Sequence, residues 1–248
     1  MKKASNTSRE VTRLKGLVAR ATRVLFHEDL ADYHGHVSAR VPGTRTLLIK
    51  PFLTSLDKVQ SRHILSLDMD DYLAFKGSPQ AGSRPFRKEV KLAPRETLLH
   101  LAVYEARPDV FSVVHTHQTL ASAFGIAGVP LVPVFFGGAR YAPKTPILEN
   151  PRIIDSIEMA REAAGALGQS NALLMRHHGV VIVGKTVEEA TAGAVYLERN
   201  AYLQIIATLL GNAAPMPEQF TAEHAANMDK RAPVSFTYFE SLFSKKKG

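Results

Sequence analysis

The sequence feature that most constrains the fold of this chain is the short segment Val113-Val114-His115-Thr116-His117. Its β-branched residues predict a strand, and alternate side chains of a strand lie on one face of a sheet. His115 and His117 would therefore project together, while Val114 and Thr116 project to the opposite face. Two imidazoles on a stiff strand form half of a metal site, so the fold must bring further ligands to this strand.

A third histidine is offered by the segment Met175-Arg176-His177-His178-Gly179. Neighbouring residues of a strand point to opposite faces, so only one of His177 and His178 can join the pair. We favour His178, because Gly179 beside it lets the backbone pass close to a bound ion. Three imidazoles with one open position are typical of a catalytic metal site, whereas a structural zinc site is closed. Without such convergence, the histidine pair would be ordinary polar surface on a strand.

A carboxylate candidate lies 19 residues before His115, at Glu96. Pro94 predicts the start of a helix here, because proline is tolerated in the first turn, where its missing N–H has no partner to lose. Glu96 would be a fourth metal ligand or an acid/base group. The alternative interpretation is a favourable charge at a helix N-terminus.

The composition limits the metal and the compartment. The chain has 248 residues and no cysteine, which excludes disulfides and thiolate ligands and leaves histidine and carboxylate to bind Zn²⁺, Mn²⁺, Fe²⁺ or Co²⁺. The sequence contains no run of about 18 apolar residues, so it predicts no membrane span. The polar start does not resemble a secretory signal, so the cytoplasm is the expected compartment.

The net charge of +8 is concentrated at the two ends of the chain. Residues 1–23 carry seven Lys and Arg against one acid, and residues 245–247 are all lysine, so the body between them is near neutral. A nucleic-acid-binding protein would spread a basic face over its body, so we expect no nucleic-acid partner.

Hydrophobic periodicity predicts a single domain over residues 1–248, with flexible tails at 1–8 and 240–248. Helices alternate with strands, and the first two strands form a hairpin, which indicates an α/β fold: a three-layer αβα sandwich with a central, mostly antiparallel sheet covered by helices. The main predicted segments are helices at 9–29, 94–106, 120–125, 150–167 and 186–210, and strands at 37–41, 46–49, 64–67, 73–75, 109–117, 129–136, 172–175 and 180–184. Residues 78–93 are expected to be a basic loop and residues 212–234 a loop-rich tail.

The order Pro94-Arg95-Glu96, then His115-Thr116-His117, then His177-His178-Gly179 resembles the class II aldolase/adducin family. The resemblance covers about residues 10–210. It implies an αβα fold, a homotetramer with sites between subunits, a divalent metal held by His115, His117 and His178, and a catalytic Glu96.

The chain departs from the sugar-phosphate aldolases of that family where they cradle phosphate. Those enzymes carry Gly-Asn where this chain has Gly35-His36, and Thr-Gly or Ser-Gly where it has Phe52-Leu53. They carry Ser-Ser where it has Pro94-Arg95. A phosphate nest without its N–H and hydroxyl donors is a poor one. His36 and Arg95 suit a planar carboxylate instead, and Phe52 suits an aromatic ring. The tyrosine that donates a proton in the aldolases has no clear counterpart.

The segment His34-Gly35-His36-Val37-Ser38 resembles a decarboxylase branch of the family. That resemblance implies a metal-dependent, non-oxidative decarboxylase of a hydroxylated phthalate- or pyridine-dicarboxylate-like acid. Substrate-binding residues would be His36, Ser38, Phe52 and Arg95, and catalytic residues Glu96, His36 and Arg95. Two alternatives stay open: an aldolase or epimerase acting on a small hydroxy-carbonyl or sugar-phosphate compound, and a non-catalytic, adducin-like module.

Overall fold

The computed structural model describes residues 2–77, 84–143 and 145–244. A sheet of seven strands occupies its centre, in the order β3-β2-β1-β4-β7-β6-β5. All neighbouring strands are antiparallel except β5 and β6. The strands are β1 His36–Arg40, β2 Thr46–Ile49, β3 Leu65–Asp68, β4 Ser112–Thr116, β5 Ile147–Leu148, β6 Ala172–Met175 and β7 Gly179–Gly184.

Helices cover both faces of this sheet, which confirms the predicted α/β sandwich. The described helices are α1 Lys2–His27, α2 Met69–Gly77, α3 Arg84–Leu92, α4 Thr97–Ala106, α5 Thr119–Ala127, α6 Ile157–Leu167, α7 Val187–Leu209, α8 Glu218–Ala226 and α9 Met228–Ser244. None of them combines the length and apolar character needed to cross a bilayer.

Strand alternation divides the core into two halves. Val114 belongs to the half beneath α1, α5, α7 and α9, whereas Val113 belongs to the half beneath α4 and α6. His115 is two residues from Val113 and therefore lies on the α4 side. In the β1–β4 pairing, His36 lies opposite His115 and Ser38 lies opposite Val113. The register thus places three polar residues of two central strands on the face that α4 covers.

Several predicted elements agree with the structure. The hairpin of β1 and β2, strand β6 and helix α4 lie where the sequence predicts them. Thr186 caps α7, with its side chain accepting a hydrogen bond from the Glu189 N–H. Each of these elements carries a local signal: alternation in β1, an apolar run in β6, Pro94 before α4 and a capping residue before α7.

The predictions failed for segments whose structure depends on packing. Residues 2–8 are helical, the predicted strand at 73–75 lies in α2, and part of the predicted loop at 78–93 forms α3, with 78–83 outside the described residues. The predicted tail at 212–234 contains α8 and the start of α9. Pro233 lies inside α9 and argues against a helix there, but Phe236 and Phe239 of the same helix are buried in the core. This burial outweighs the local cost of proline. Residues 240–244 of the predicted C-terminal tail form the end of α9, and residues 245–248 lie outside the described residues.

The predicted strand at 129–136 is wrong, although part of the segment is extended. Pro130 and Pro133 lack the N–H that a strand ladder requires. Side-chain amides of α7 replace the missing strand: Asn200 accepts from the Val134 N–H at 3.1 Å and donates to the Val132 carbonyl at 2.9 Å. Gln204 accepts from the Val132 N–H at 2.9 Å. The segment is therefore held by side chains of a helix.

This arrangement predicts that Asn200→Ala destabilises the protein. Asn200 is fully buried, and its loss leaves a backbone donor and acceptor without partners, a cost of about 2 kcal/mol. At this chain length the melting temperature should fall by about 4–8 °C, measured by differential scanning calorimetry. Asn212→Ala, at an exposed asparagine, is the matched control and should change it little. An unchanged melting temperature for Asn200→Ala would show that these bonds do not hold the segment.

Candidate metal centre

Four residues meet at one end of strand β4. Glu96, His115, His117 and His178 each offer a ligand atom, and these atoms lie within 4.8 Å of one another. His115 lies in β4, His117 follows it directly, His178 lies in the turn between β6 and β7, and Glu96 is the N-cap of α4. The structure thus brings together the four residues that the sequence analysis proposed as metal ligands and acid/base.

The turn between β6 and β7 reaches His117 because residue 179 is glycine. A Cβ at Gly179 would lie 2.3 Å from the Thr116 carbonyl oxygen and 2.7 Å from Cδ2 of His117. Only a residue without a side chain allows this approach. His177 has a φ of 57° and is exposed, whereas His178 points into the cluster. The choice between the two histidines is therefore made by the turn.

The imidazoles have ring nitrogens free for a cation. Nδ1 of His115 lies 3.0 Å from the Val180 carbonyl, which can only accept, so Nδ1 carries the hydrogen and Nε2 is a lone pair. Nε2 of His115 and Nε2 of His117 are buried without a hydrogen-bond partner in the described part of the chain, and His178 directs its Nε2 toward Glu96. Buried unpartnered nitrogens are costly, and a divalent metal would satisfy them. This donor set fits a divalent cation.

Glu96 is held as a carboxylate at the centre of the cluster. Its Oε2 lies 3.3 Å from Nε2 of His115, and its Oε1 lies 3.3 Å from Nε2 of His178. Oε1 also accepts from the Ile154 N–H at 3.0 Å. Burial raises the pKa of Glu96, but the surrounding imidazoles outweigh this, so the pKa lies well below its usual range.

The contact with Ile154 also explains why α6 begins later than the sequence predicts. The helix starts at Ile157 with Ser156 as its N-cap, whereas Asn150 and Pro151 were expected to open it. The backbone from 150 to 156 stays irregular, which leaves the Ile154 N–H free to bind Glu96. Asn150 caps a local turn instead, by accepting from the Arg152 N–H at 3.2 Å.

His117 is prepared for metal binding by its surroundings. Burial and the charge interaction with His115 lower the pKa of His117 to about 4, so the imidazole is neutral at neutral pH. Its Nδ1 lies 3.5 Å from Oδ1 of Asp32, an arrangement like the carboxylate–histidine pairs that orient metal ligands. The sequence analysis did not identify Asp32.

His36 adjoins the cluster on its α4 side. The imidazole is buried, and its Nε2 lies 3.9 Å from Oε2 of Glu96. Its Nδ1 lies 2.8 Å from Nε2 of His100, whose Nδ1 lies 2.6 Å from the Ser38 hydroxyl. The Ser38 hydroxyl in turn lies 2.7 Å from that of Tyr104.

This network corrects the role expected for Ser38. The side chain is fully buried and occupied by His100 and Tyr104, so it does not offer its hydroxyl directly to a substrate. The sequence analysis missed His100 and Tyr104. The signal was present, since Glu96, His100 and Tyr104 recur at four-residue steps in an otherwise apolar helix and therefore share one face.

Aromatic side chains stand beside His117. The ring of His34 lies 5.8 Å from that of His117, 3.6 Å from that of Tyr33 and 6.3 Å from that of Phe52. Tyr33 is 59% exposed and Phe52 37%, so both present ring surface to solvent. We call Tyr33, His34 and Phe52 the aromatic wall.

A buried lysine ties the two loops of the aromatic wall together. Nζ of Lys50 donates to the carbonyls of Tyr33 at 3.2 Å and of Phe52 at 3.3 Å, and also to that of Pro51. Burial lowers the pKa of Lys50 to about 8, so the amine is still mostly protonated at pH 7. Three donors meet three carbonyls, which fixes the wall relative to β2.

Arg95 is the predicted site residue that the structure does not join to the cluster. It is exposed, one residue before Glu96, and makes no hydrogen bond or ion pair with another described residue.

Comparisons with known proteins identify relatives of this chain. Residues 16–205 match the family described as Class II Aldolase and Adducin N-terminal domain. The chain is 30% identical over 218 residues to a 3,4-dihydroxyphthalate decarboxylase of Arthrobacter keyseri, covering 83% of this chain and 84% of that protein. It is 27% identical over 200 residues to an L-fuculose phosphate aldolase of Escherichia coli O6:H1, covering 79% and 83%.

Among solved structures, an L-fuculose 1-phosphate aldolase from Glaciozyma antarctica PI12 superposes with a TM-score of 0.76 at 22% identity, covering 96% of this chain and 93% of that one. At this identity the likeness shows the fold alone. The sequence match, however, spans most of the sheet and all four residues of the cluster. The chain belongs to the class II aldolase and adducin family.

Proposed function

We propose that this protein is a metal-dependent, non-oxidative decarboxylase of a hydroxylated aromatic acid, of the phthalate- or pyridine-dicarboxylate-like class. The observation that carries the proposal is the aromatic wall beside a cluster of three histidines and a glutamate. Its rings offer stacking surface to a planar substrate where the aldolases of the family bind phosphate. The 30% identity to a 3,4-dihydroxyphthalate decarboxylase supports this choice. Decarboxylases and aldolases are both lyases, so lyase chemistry follows from either kind of relative.

His115, His117 and His178 would hold the metal, with Glu96 as a fourth ligand or an acid/base. Class II aldolases use a divalent metal, and three imidazoles accept Zn²⁺, Mn²⁺, Fe²⁺ or Co²⁺. Such a cation supplies a Lewis acid that stabilises negative charge developing on the substrate as CO₂ leaves.

Glu96 is suited to move the proton that the reaction needs. Loss of CO₂ breaks a carbon–carbon bond and leaves its electron pair on the ring, where a proton must be added. Glu96 lies among the imidazoles of the cluster, 3.3 Å from Nε2 of both His115 and His178. From that position its carboxylate would take the proton of the substrate's hydroxyl and then deliver it to the ring carbon. The product hydroxyl regains a proton from water, which balances the reaction.

His36 and Arg95 would bind the substrate's carboxylates. His36 presents its Nε2 beside Glu96, within the site. Arg95 is exposed beside Glu96 and carries a planar guanidinium, which binds a carboxylate with two parallel hydrogen bonds. We assign Arg95 to a second carboxylate at the mouth of the site.

An aldolase acting on a small hydroxy-carbonyl compound is the second candidate. The chain is 30% identical over 159 residues to a 5-methylthioribulose-1-phosphate/5-deoxyribulose-1-phosphate aldolase of Escherichia coli, covering 62% of this chain. The same histidines and glutamate would serve both reactions, because each places negative charge on a substrate oxygen. A non-catalytic, adducin-like module is disfavoured, since it has no need for four converging ligands, two of them buried.

We also propose that the chain works as a homotetramer with sites between subunits. Four apolar side chains lie exposed at three- and four-residue steps along the end of α7: Tyr202, Ile206, Leu209 and Leu210. An exposed apolar stripe of this kind is typical of a surface that another protein covers.

The proposal predicts CO₂ release from hydroxylated aromatic diacids. Metal-loaded protein incubated with hydroxyphthalates or hydroxypyridine dicarboxylates should release CO₂ and form the monoacid. Formation of the monoacid is measured by chromatography. Ketose phosphates should not be cleaved under the same conditions. Cleavage of a ketose phosphate, with no CO₂ from any diacid of the panel, would favour the aldolase instead.

Replacing a proposed ligand should remove the metal without unfolding the protein. His117→Ala should lower the metal content, measured by plasma mass spectrometry, from about one ion per chain to a small fraction of that, with an unchanged circular dichroism spectrum. His177→Ala, at the exposed neighbour of His178, is the control and should keep the metal. Full metal occupancy in His117→Ala would contradict the ligand assignment, and a low metal content in the native protein would favour the non-catalytic module.

Arg95→Ser should affect diacids selectively. Loss of a charge-assisted hydrogen bond should raise KM for the diacid about tenfold, while KM for a matched monoacid changes less than about twofold. Arg62→Ser, at an exposed arginine of a segment that contributes nothing to the cluster, controls for surface charge. Equal changes for both substrates would remove Arg95 from carboxylate binding.

A further inference from the structure

A line of four buried polar side chains leads from the helix α4 into the site, and we call it the buried relay. It comprises Tyr104, Ser38, His100 and His36, joined by contacts of 2.7, 2.6 and 2.8 Å in that order. All four residues are at most 2% exposed. The relay ends in the site, where Nε2 of His36 lies 3.9 Å from Oε2 of Glu96.

The relay follows from the register of two elements. His36 and Ser38 are two residues apart in β1 and share the face that α4 covers, while His100 and Tyr104 are one turn apart in α4. Each hydroxyl or ring nitrogen inside the relay therefore meets one from the opposite element. Only Nε2 of His36 is left to face the site.

Every member of the relay is neutral. His36 is 2% exposed and His100 is fully buried, and burial this deep disfavours a charged imidazole. Burial raises the pKa of Tyr104, so its hydroxyl keeps its hydrogen. A neutral imidazole has one donor and one acceptor, so the hydrogens of the relay must run in one direction or the other.

The two directions are not equivalent. If the hydrogens run toward the site, Tyr104 donates to Ser38, Ser38 to His100, and His100 to Nδ1 of His36, so His36 directs its own N–H at the Glu96 carboxylate. If they run the other way, a lone pair of His36 faces that carboxylate. Tyr104 then either donates to the Phe111 carbonyl at 3.5 Å, which already accepts from the Arg40 N–H at 2.9 Å, or donates to Ser38, whose own hydrogen is left without an acceptor among the described residues. The first direction is favoured at both ends of the relay. At one end, His36 directs an N–H at a carboxylate, and at the other, Tyr104 does not need the long contact with the Phe111 carbonyl.

We propose that Tyr104, Ser38 and His100 are positioning residues that hold His36 in the tautomer with hydrogen on Nε2, so that His36 donates a hydrogen bond to a carboxylate of the substrate. The inference rests on the proposed function for the identity of the substrate, but the tautomer is a property of the protein itself. The relay ends on a buried tyrosine beside a backbone carbonyl, so it orients His36 and does not carry protons to solvent.

Nuclear magnetic resonance tests the tautomer without any substrate. Two-bond ¹H–¹⁵N spectra of Zn²⁺-loaded protein, labelled at histidine, distinguish a protonated Nε2 from a protonated Nδ1, and His36→Asn identifies the signals. The native protein should show hydrogen on Nε2 of His36. Ser38→Ala removes one link of the relay and should shift His36 toward a mixture of tautomers. Hydrogen on Nδ1 in the native protein, or an unchanged spectrum in Ser38→Ala, would overturn the proposal.

Kinetics separate positioning from a purely structural role. His100→Leu should lower kcat/KM for the diacid about 100-fold with unchanged metal content. His100→Gln, whose amide N–H replaces the donor toward His36, should recover most of this loss. Equal activity of the two variants would show that His100 only fills space. If no diacid is decarboxylated but His36 carries hydrogen on Nε2, the proposed function fails and the positioning of His36 stands.

Discussion

The structure depends on the polar face buried between the central sheet and α4. Groups enclosed there are cut off from water, so each must find a partner inside the protein or bear the cost of having none. Most of them do find one: Ser38 meets His100 and Tyr104, and Nδ1 of His115 meets the Val180 carbonyl. The exceptions include Nε2 of His115 and Nε2 of His117. The site is therefore the place where this internal pairing stops, which is what a metal centre requires.

Replacement of the family's phosphate-binding positions gives this site a different character. His36 is oriented by a buried relay, and Phe52 belongs to an aromatic wall that Lys50 fixes through three carbonyls. Under the proposed function, the hydroxyls and backbone N–H groups that would surround a phosphate give way to a hydrogen-bond donor on His36 and to ring surface. Under the same proposal, the family's metal ligands are kept while the groups that bind the substrate change.

Local sequence signals predicted the parts of the fold that are stabilised locally. Alternation in β1 identified the hairpin with β2, an apolar run identified β6, and Thr186 marked the start of α7. Prediction failed where distant contacts decide the conformation. The segment containing Val132 and Val134 is held by Asn200 and Gln204, which are more than 60 positions away, and α9 is helical because Phe236 and Phe239 find a core to enter. The intrinsic helix or strand propensity of a residue carries no information about such distant partners.

By itself, the sequence determined the chemistry of the site: two histidines in alternation on a strand, a third beside a glycine, and a glutamate at a helix start. Those assignments follow from residue type and period, which are local properties. Only the tertiary structure decided that His178 and not His177 joins the cluster, that the Ile154 N–H holds Glu96, and that Ser38 lies behind His36 instead of at the surface. These outcomes depend on which elements pack together and in what register, because a buried polar atom takes the partner that the neighbouring element brings to it.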